Sequence, residues 1–504
     1  MQGVLLEDLV RALPECSVKG DAVVPITGFT YDSRTQMPPG TLFAAFEGAH
    51  HDGHEYVSQA VAKGAAALLV SRDLLCEQPV PVVKVPDCRR ALAIIARELY
   101  HNPGRRLVTA GVTGTKGKTT TTYLLKHILE QAGKHAGLIG TIGYCTGSVP
   151  RPAPNTTPEA ADLQVLFHEM VENHLTHAIM EVSSHALALG RTELVEFDAA
   201  AFTNLGHDHM DFHTSVHDYA SAKSTLFASL SPLRWAVING DDPYGAVMAE
   251  AARKAGAPVM GVSASAKPPD FACDMTILAH DVKLGRHGAS FLIVNESTGE
   301  PVLVETALMG AFNVANCLTA MGLALCLGVG LETSARTLAS FAGVPGRFQA
   351  VRCGQDFAVI VDYAHNPDSL ANVLSTAKSI CDGRLISVFG CGGDRDRTKR
   401  PIMGRISCEL ADFTIVTSDN PRSERPEAIA EEVTEGIGAY NGRCTVVLDR
   451  RDAIRQAVKM ACSGDVIVIA GKGHETYQIF DGKTVHFDDV EEARIAIGEL
   501  MQSV

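Results

Sequence analysis

The sequence predicts an α/β protein of three domains. Three observations carry that reading. Short apolar runs alternate with helix-length amphipathic stretches along the whole chain, the pattern of strands and helices laid down in turn. At 504 residues the chain exceeds what one hydrophobic core organises, so more than one domain is required. Two breakers, His101-Asn102-Pro103-Gly104 and Pro345-Gly346, then divide it into units of 1–105, 106–343 and 344–504.

The first unit ends in the helical stretch CRRALAIIARELY. The second opens on the strand RLVTAGV, which runs through the loop GVTGTKGKTTT into a helix from about Lys118 to Gln131. Further strands are expected at HAIMEVS, AAAFTNL and RWAVING, while 263–305 reads as irregular and β-rich. In the third unit FAVIVDYAHN, RLISVFGCGG, DFTIVTSDN, CTVVLD and DVIVIAGKG are separated by helical stretches, as in a Rossmann-like parallel sheet.

Composition removes several function classes. With 46% hydrophobic and 20% charged residues the chain is ordinary globular material. A net charge of -14 argues against nucleic acid or an anionic membrane as the main partner, though a local basic pocket could still hold a small anion. The 13 cysteines are odd in number and contain no C-x-x-C pair, which argues against a disulfide framework or thiolate zinc site and for a reducing compartment, the cytoplasm. MQGVLLEDLVRALPE carries acidic residues inside its apolar run and no basic n-region, so it does not read as a signal peptide. Thr306 to Leu331 holds no charge and is long enough to span a bilayer. Asn313 and Asn316 lie on one helical face within it, however, and a buried helix offering amides to a ligand fits better.

The loop at 111–121 is a departure from the usual phosphate loop, whose first glycine would fall on Val112 when counted back from Gly117-Lys118-Thr119. Its backbone N–H groups from Gly114 through Thr115, Lys116 and Gly117 to Thr119 can still converge on nucleotide phosphates at a helix N-terminus. Lys118 adds a point charge and Thr119 a hydroxyl for Mg²⁺. Glu181, at a strand end, is a second candidate ligand for that ion. His207, His209, His213 and His217 suggest zinc, but their spacing matches no common zinc motif, and hydrogen-bonding or surface roles are the better reading.

Taken together, TGTKGKTT, EVSSH, DHMDFH followed by Lys223 in SAKSTLF, FNVAN, PGRF and DYAHNPDS resemble the Mur ligases, ATP-dependent amide-forming enzymes of peptidoglycan precursor synthesis. The resemblance runs through all three domains in order. The family loop is typically TGTNGKTT, and Lys116 replaces its asparagine. YDSR at 31–34, NTTPE at 155–159, GCGGDRDRTKRP, SDNPRSE at 418–424 and GKGHETYQ at 471–478 further resemble the branch that adds the third residue of the peptide stem, and DNPR is the form of its diaminopimelate-adding members.

This resemblance implies an N-terminal UDP-binding domain, a central P-loop ATPase-like domain and a C-terminal Rossmann-like domain that binds the amino acid. The implied reaction moves the γ-phosphoryl of ATP to the γ-carboxylate of UDP-N-acetylmuramoyl-L-alanyl-D-glutamate, and meso-diaminopimelate then attacks the acyl phosphate. The roles it implies are these. Gly114 through Thr120, Asn316, Arg347 and Asp362 hold ATP; Lys118 and Arg347 neutralise the transferring phosphoryl. Thr119 and Glu181 hold one Mg²⁺, His209 helps hold a second, and Lys223 is carbamylated to give oxygen ligands. Tyr31, Ser33, His50, His51, Asn155, Thr156, Thr157, Ser183, Leu189 and Arg191 line the UDP-substrate site, where Leu189 stands in place of a glutamine frequent in the family. Arg395, Asp419, Asn420, Pro421, Arg422, Gly471 and Glu475 bind diaminopimelate. A monomer acting on small molecules is expected, with no nucleic-acid or membrane partner. The competing readings are the same ligase using L-lysine, a folylpolyglutamate synthase-like ligase, and a P-loop protein whose hydrolysis drives motion or signalling.

Overall fold

The structure is a computed structural model and describes residues 3–48, 51–206, 208–210, 212–295 and 299–502; His50 and His207 lie outside them. The chain forms two compact units, one running from the N-terminus to Ser263 with Lys267–Ile277 and Thr319–Thr333, the other comprising Ala264–Ala266, Leu278–Leu318 and the chain from Ser334 onward.

Besides the short pair Val4–Leu5 and Pro25–Ile26, two larger sheets start in the first unit. The N-terminal sheet runs in the order Ser17–Lys19, Val82–Lys84, Ala67–Val70, Thr41–Ala44, Gly28–Thr30, parallel except at its first pair. Its central strands are buried at every residue, which is why they read as unbroken apolar runs rather than alternations. Helix Cys88–Leu99 covers this sheet, its N-terminus capped by the Asp87 carboxylate accepting from the backbone of Arg89 and Arg90. Beyond it His101 and Asn102 take positive φ (56° and 51°), stopping the helix at the expected breaker.

The second sheet, of ten strands, begins in the order Tyr144–Cys145, Ala136–Ile139, His177–Glu181, Val108–Thr113, Ala199–Phe202, Trp235–Asn239 and Val259–Ser263. All of these pairs are parallel except the first. Val112 lies opposite Glu181 in register, so the phosphate loop and the candidate metal ligand leave the same edge of the sheet, at strand C-termini where such folds gather ligands. Helix Lys118–Gln131 follows the loop as its sequence indicates.

The β-rich expectation for 263–305 resolves into long strands, Met275–Gly285, Gly288–Asn295 and Pro301–Thr306, the last two antiparallel. Gly288–Asn295 alternates buried and half-buried positions, the period of a strand with one covered face. The uncharged stretch forms helix Ala311–Cys326, and among the described residues no helix is long and apolar enough to cross a membrane. Asn313 and Asn316 are buried, the Asn316 amide donating to Asn313 Oδ1 (3.0 Å) and the Asn313 amide to the Met309 carbonyl (2.8 Å).

In the second unit, all five expected strands of the third domain form a sheet ordered Gln349–Ala350, Ala358–Asp362, Val466–Ala470, Leu385–Phe389, Phe413–Val416, Cys444–Val446. Only its first pair is antiparallel. Val466–Ala470 is central and buried throughout, with an apolar layer on each face.

Candidate functional site

The phosphate loop is held from outside by one neighbouring segment. Asn204 accepts from the backbone of Thr115 through its carbonyl (2.8 Å) and from that of Lys116 through its amide oxygen (2.9 Å), while its amide donates back to the Lys116 carbonyl (3.1 Å). Lys116, the departure from the family loop, is thus fixed by its backbone and leaves its side chain exposed. Gly114 has φ 151°, and a Cβ there would sit 1.9 Å from the Thr203 hydroxyl, so only glycine fits. Lys118 folds its ammonium back onto the carbonyls of Gly114 (2.8 Å) and Thr115 (3.0 Å), within the arc where phosphates would lie.

Thr119 donates its hydroxyl to Glu181 Oε2 (3.0 Å), and Thr141 donates both its N–H (to Oε1, 2.9 Å) and its hydroxyl (to Oε2, 3.1 Å) to the same carboxylate. Glu181 is 1% exposed. A buried carboxylate oxygen beside a phosphate-loop hydroxyl at this spacing matches two adjacent ligands of an octahedral Mg²⁺ with bonds of about 2.0–2.1 Å. The donor set fits that ion.

Lys223 is 1% exposed, donating to the Gly114 carbonyl (3.0 Å) with its ammonium 4.3 Å from the centre of the Tyr219 ring. Burial, and then the Lys118 charge, hold its amine well below the ordinary lysine range. The Tyr219 hydroxyl is 3.1 Å from Thr115 Oγ1, tying this lysine's surroundings to the loop. His209, at φ 56°, has its ring 6.2 Å from Tyr219 and 4.8 Å from His185. His213 is buried beside Tyr219. Rings of His185, His209 and His213 therefore gather on the Tyr219 side, yet among the described residues the only group of three His, Cys, Asp or Glu ligands close enough to hold a metal is Glu47, Asp52 and His54, elsewhere in the fold.

Around the expected acceptor site, Thr157 donates to the Glu181 carbonyl (2.8 Å) and accepts from the Ser183 N–H (3.1 Å). Thr156 meets Thr141 (3.0 Å), and the Asn155 carbonyl accepts from Tyr144 (2.5 Å). Arg191 is anchored by the Thr157 carbonyl (2.9 Å) and Glu159 (2.8 Å), and Glu159 also pairs with Arg89 (2.8 Å). Tyr31 donates to Asp162 (2.6 Å) and stacks on Phe46 at 4.9 Å, with Arg89 over the other ring at 4.8 Å. Phe46, Arg89, Glu159, Leu189 and Arg191 line one cleft, in which Leu189 is half exposed. Ser33 is buried, its carbonyl taken by Lys63 (2.7 Å), and His51 is exposed.

In the second unit the PGRF turn meets GKGHE so closely that a Cβ on Gly346 would lie 2.1 Å from the His474 nitrogen. Asp362 accepts from the Phe348 N–H (2.7 Å), and Arg347 lies 5.2 Å over the Tyr363 ring. Arg347 Nε is buried with no hydrogen-bond partner among the described residues, an orphan donor of the kind an anionic ligand satisfies.

Arg422 also takes a left-handed backbone, φ 54°, fixed by its N–H donating to the Ile479 carbonyl (2.9 Å) and its carbonyl accepting from Asp481 (2.7 Å). Its guanidinium donates to the Gly393 carbonyl (2.7 Å); a Cβ on Gly392 would touch it at 3.0 Å and meet Arg395 at 3.7 Å, so both arginines flank one glycine. Gly471 needs φ 119° and leaves no room for a side chain beside Asp419. Asn420 donates to Glu475 Oε2 (2.8 Å) and accepts at Oδ1 from Lys472 (3.1 Å) and from the Ile479 N–H (3.1 Å). Beneath them the buried Arg450 binds the carbonyls of Ser418 (3.3 Å) and Ala470 (3.0 Å), the residues from which the DNPR and GKGHE loops spring.

Sequence reasoning had no role for Thr141, Asn204, Glu159, Arg450 or Lys472. Glu159 and Lys472 lie inside quoted motifs, which was the available signal; the others carry none.

A phosphate loop whose hydroxyl meets a strand-end carboxylate, in a chain with a second Rossmann-like sheet carrying a cationic, carboxylate-lined site, defines a nucleotide-dependent group-transfer enzyme. Family comparison gives the particular lineage. Residues 112–324 match the Mur ligase middle domain, 346–473 the Mur ligase glutamate ligase domain, and 25–100 the Mur ligase family catalytic domain. The UDP-N-acetylmuramoyl-L-alanyl-D-glutamate–2,6-diaminopimelate ligase of Geobacillus thermodenitrificans is 42% identical over 98% of this chain and 99% of its own. The protein of that name from Gloeobacter violaceus is 45% identical over 94% of each chain. A solved structure of a ligase of the same name aligns with TM-score 0.71 and 33% identity over 99% of both chains. The chain belongs to the Mur ligase family of ATP-dependent ligases and has its three-domain α/β architecture.

Proposed function

We propose that this chain joins meso-diaminopimelate to UDP-N-acetylmuramoyl-L-alanyl-D-glutamate at the expense of ATP, in peptidoglycan precursor synthesis. The carrying observation is the pair of loops 419–422 and 471–475, where Arg422 and Arg395 flank one glycine beside the Asn420–Glu475 pair. Diaminopimelate differs from lysine by one distal carboxylate. The Arg422 guanidinium suits that group, with the Arg395 side chain on the same glycine, and the carboxylates of Glu475 and Asp419 suit an ammonium. The relatives at 42% and 45% identity carry the name of the same activity.

The phosphoryl step rests on charge neutralisation and positioning. Lys118 would leave the loop carbonyls for the β- and γ-phosphates of ATP, and Arg347 would turn its orphan donor toward the nucleotide, with Asn316 and Asp362 completing its site. Thr119 and Glu181 would hold a Mg²⁺, which supplies charge neutralisation between the phosphates. His209 would help hold a second. For Lys223 we propose carbamylation: burial and the neighbouring Lys118 charge favour its neutral amine, the form that adds CO₂, and the resulting carbamate would be an anion beside the Lys118 ammonium. Asn155, Thr156, Thr157, Ser183 and Arg191 would hold the muramoyl peptide, and Tyr31, Ser33 and His51 the uridine end. Boundaries near 105 and 343, a monomeric state and a cytoplasmic location belong to the same proposal.

The test is to incubate the protein with ATP, Mg²⁺, the nucleotide dipeptide and one amine at a time. A product heavier by one diaminopimelate residue, with ADP and phosphate, is expected. ATP hydrolysis independent of the amine would favour a motor or signalling P-loop protein; a product with L-lysine alone would favour the lysine-adding ligase.

A further inference from the structure

Lys472 lies between the two loops of the amino-acid site and is 0% exposed. Its ammonium donates to Asn420 Oδ1 (3.1 Å), pairs with Glu475 Oε2 (3.4 Å), approaches Asp419 Oδ1 (3.7 Å), and stands 5.5 Å from the centre of the Tyr477 ring. A fully buried ammonium is costly unless its neighbours compensate it, and here three polar groups do so. Each of those three belongs to a motif that would face the amino acid. Arg450, below, is satisfied by Asp489 and cannot serve the same carboxylates as a free cation.

The consequence is a charge count. Asp419 and Glu475 carry two negative charges within reach of one another, and Lys472 cancels one. Counting these three groups alone, what remains is a single negative charge, which matches one incoming ammonium. Without the lysine, the two carboxylates repel and Asn420 keeps only the Ile479 N–H of the two donors that orient its amide toward Glu475.

We propose that Lys472 is a positioning residue for amino-acid binding, setting the net charge of the Asp419–Glu475 pair and the orientation of Asn420. The inference rests on the reading of this site as the amino-acid site. It acts on substrate capture and not on the phosphate loop, so it makes a prediction that a merely structural lysine would not.

The experiment measures KM for diaminopimelate, ATP and the nucleotide dipeptide separately in four proteins: wild type, Lys472→Met, Asp419→Asn and the double variant. Lys472→Met should raise KM for diaminopimelate by at least roughly 30-fold, as loss of one partner of a buried charged pair does. The other two KM values should stay put. Asp419→Asn alone leaves Glu475 and Lys472 without net charge between them and also raises that KM. The double variant restores a single negative charge, so its KM for diaminopimelate should fall below that of Asp419→Asn, and this comparison stands even if Lys472→Met does not fold. A double variant as poor as Asp419→Asn or worse, or parallel rises in all three KM values, overturns the proposal. If the wild type proves to use another amino acid, the substrate reading fails, and the same comparison made with that amino acid still judges Lys472.

Discussion

Arg450 and Asp489 are both 0% exposed in their side chains and meet at two points, Nε to Oδ1 and Nη2 to Oδ2, each at 2.7 Å. Two further guanidinium donors go to the Ser418 and Ala470 carbonyls, so one buried ion pair pins the roots of the 419–422 and 471–475 loops. Removing either partner leaves an uncompensated buried charge. Asp489→Asn or Arg450→Met should therefore lower unfolding free energy by about 3–5 kcal/mol in denaturant titration, whereas replacing both by apolar residues should cost markedly less. Equal losses in the single and double variants would refute this account of the pair.

Lys223→Ala should remain folded and lose nearly all activity, because alanine cannot supply the oxygen ligands that the proposed carbamate would give at that position. Acetate or another small carboxylate should restore part of the rate by supplying the missing oxygens. Unchanged turnover in the variant would remove Lys223 from the machinery.

Replacing Lys118 by alanine takes the point charge from the phosphate loop and should cost roughly 10²–10³-fold in kcat. Binding of the nucleotide dipeptide, followed by calorimetry, should be unaltered, since Arg191 and its anchors Thr157 and Glu159 do not depend on it. A matching loss of dipeptide affinity would show that the loop as a whole has been damaged.

The wild type should prefer meso-diaminopimelate to L-lysine by roughly 10⁴-fold in kcat/KM, because a site built around a charged partner rejects the analogue lacking it. Arg422→Ala should lose about 2–5 kcal/mol of that preference for diaminopimelate and change little for lysine. Comparable kcat/KM for the two amino acids in the wild type would end the specificity claim and leave the ligase activity standing.

His474 has its ring 4.8 Å from Tyr363, and burial, then the Arg347 charge, push its pKa down to about 4. Folded, it is neutral; unfolded, it takes a proton near about pH 6.5. Its contribution to stability is thus complete above that pH and is lost as pH falls toward about 4. In urea titrations at about pH 7.5 and about pH 5, His474→Asn should show a smaller stability drop than the wild type. An equal drop would place the acid sensitivity in other groups.

The phosphate loop, the helix after it and the strand ends were legible because each is written locally: an apolar run, glycines where only glycine fits, then a helix. Glu181 was legible for the same reason, as the last residue of such a run. Thr141 was not. It reaches Glu181 across 40 residues of sequence because Ile139 pairs with Met180 in the parallel sheet, and a lone threonine after a strand has no period to betray it. Arg191 illustrates the converse. Its anchors Thr157 and Glu159 are brought to it by the fold, and Leu189, two residues before it, says nothing of either. Asn420 read as a contact for substrate; in the fold its amide links Lys472, Glu475 and Ile479.

Four side chains in the recognition loops, His209, Phe348, Asp394 and Arg422, sit where the backbone prefers glycine, at φ between 44° and 56°. Each such residue costs about 1–2 kcal/mol relative to a relaxed backbone, so a glycine replacing Arg422 would ease the loop while removing the guanidinium proposed to grip a distal carboxylate. A library of this enzyme sorted only for heat tolerance should accordingly accumulate changes at these positions and drift toward sturdier proteins that no longer distinguish one diamino acid from another.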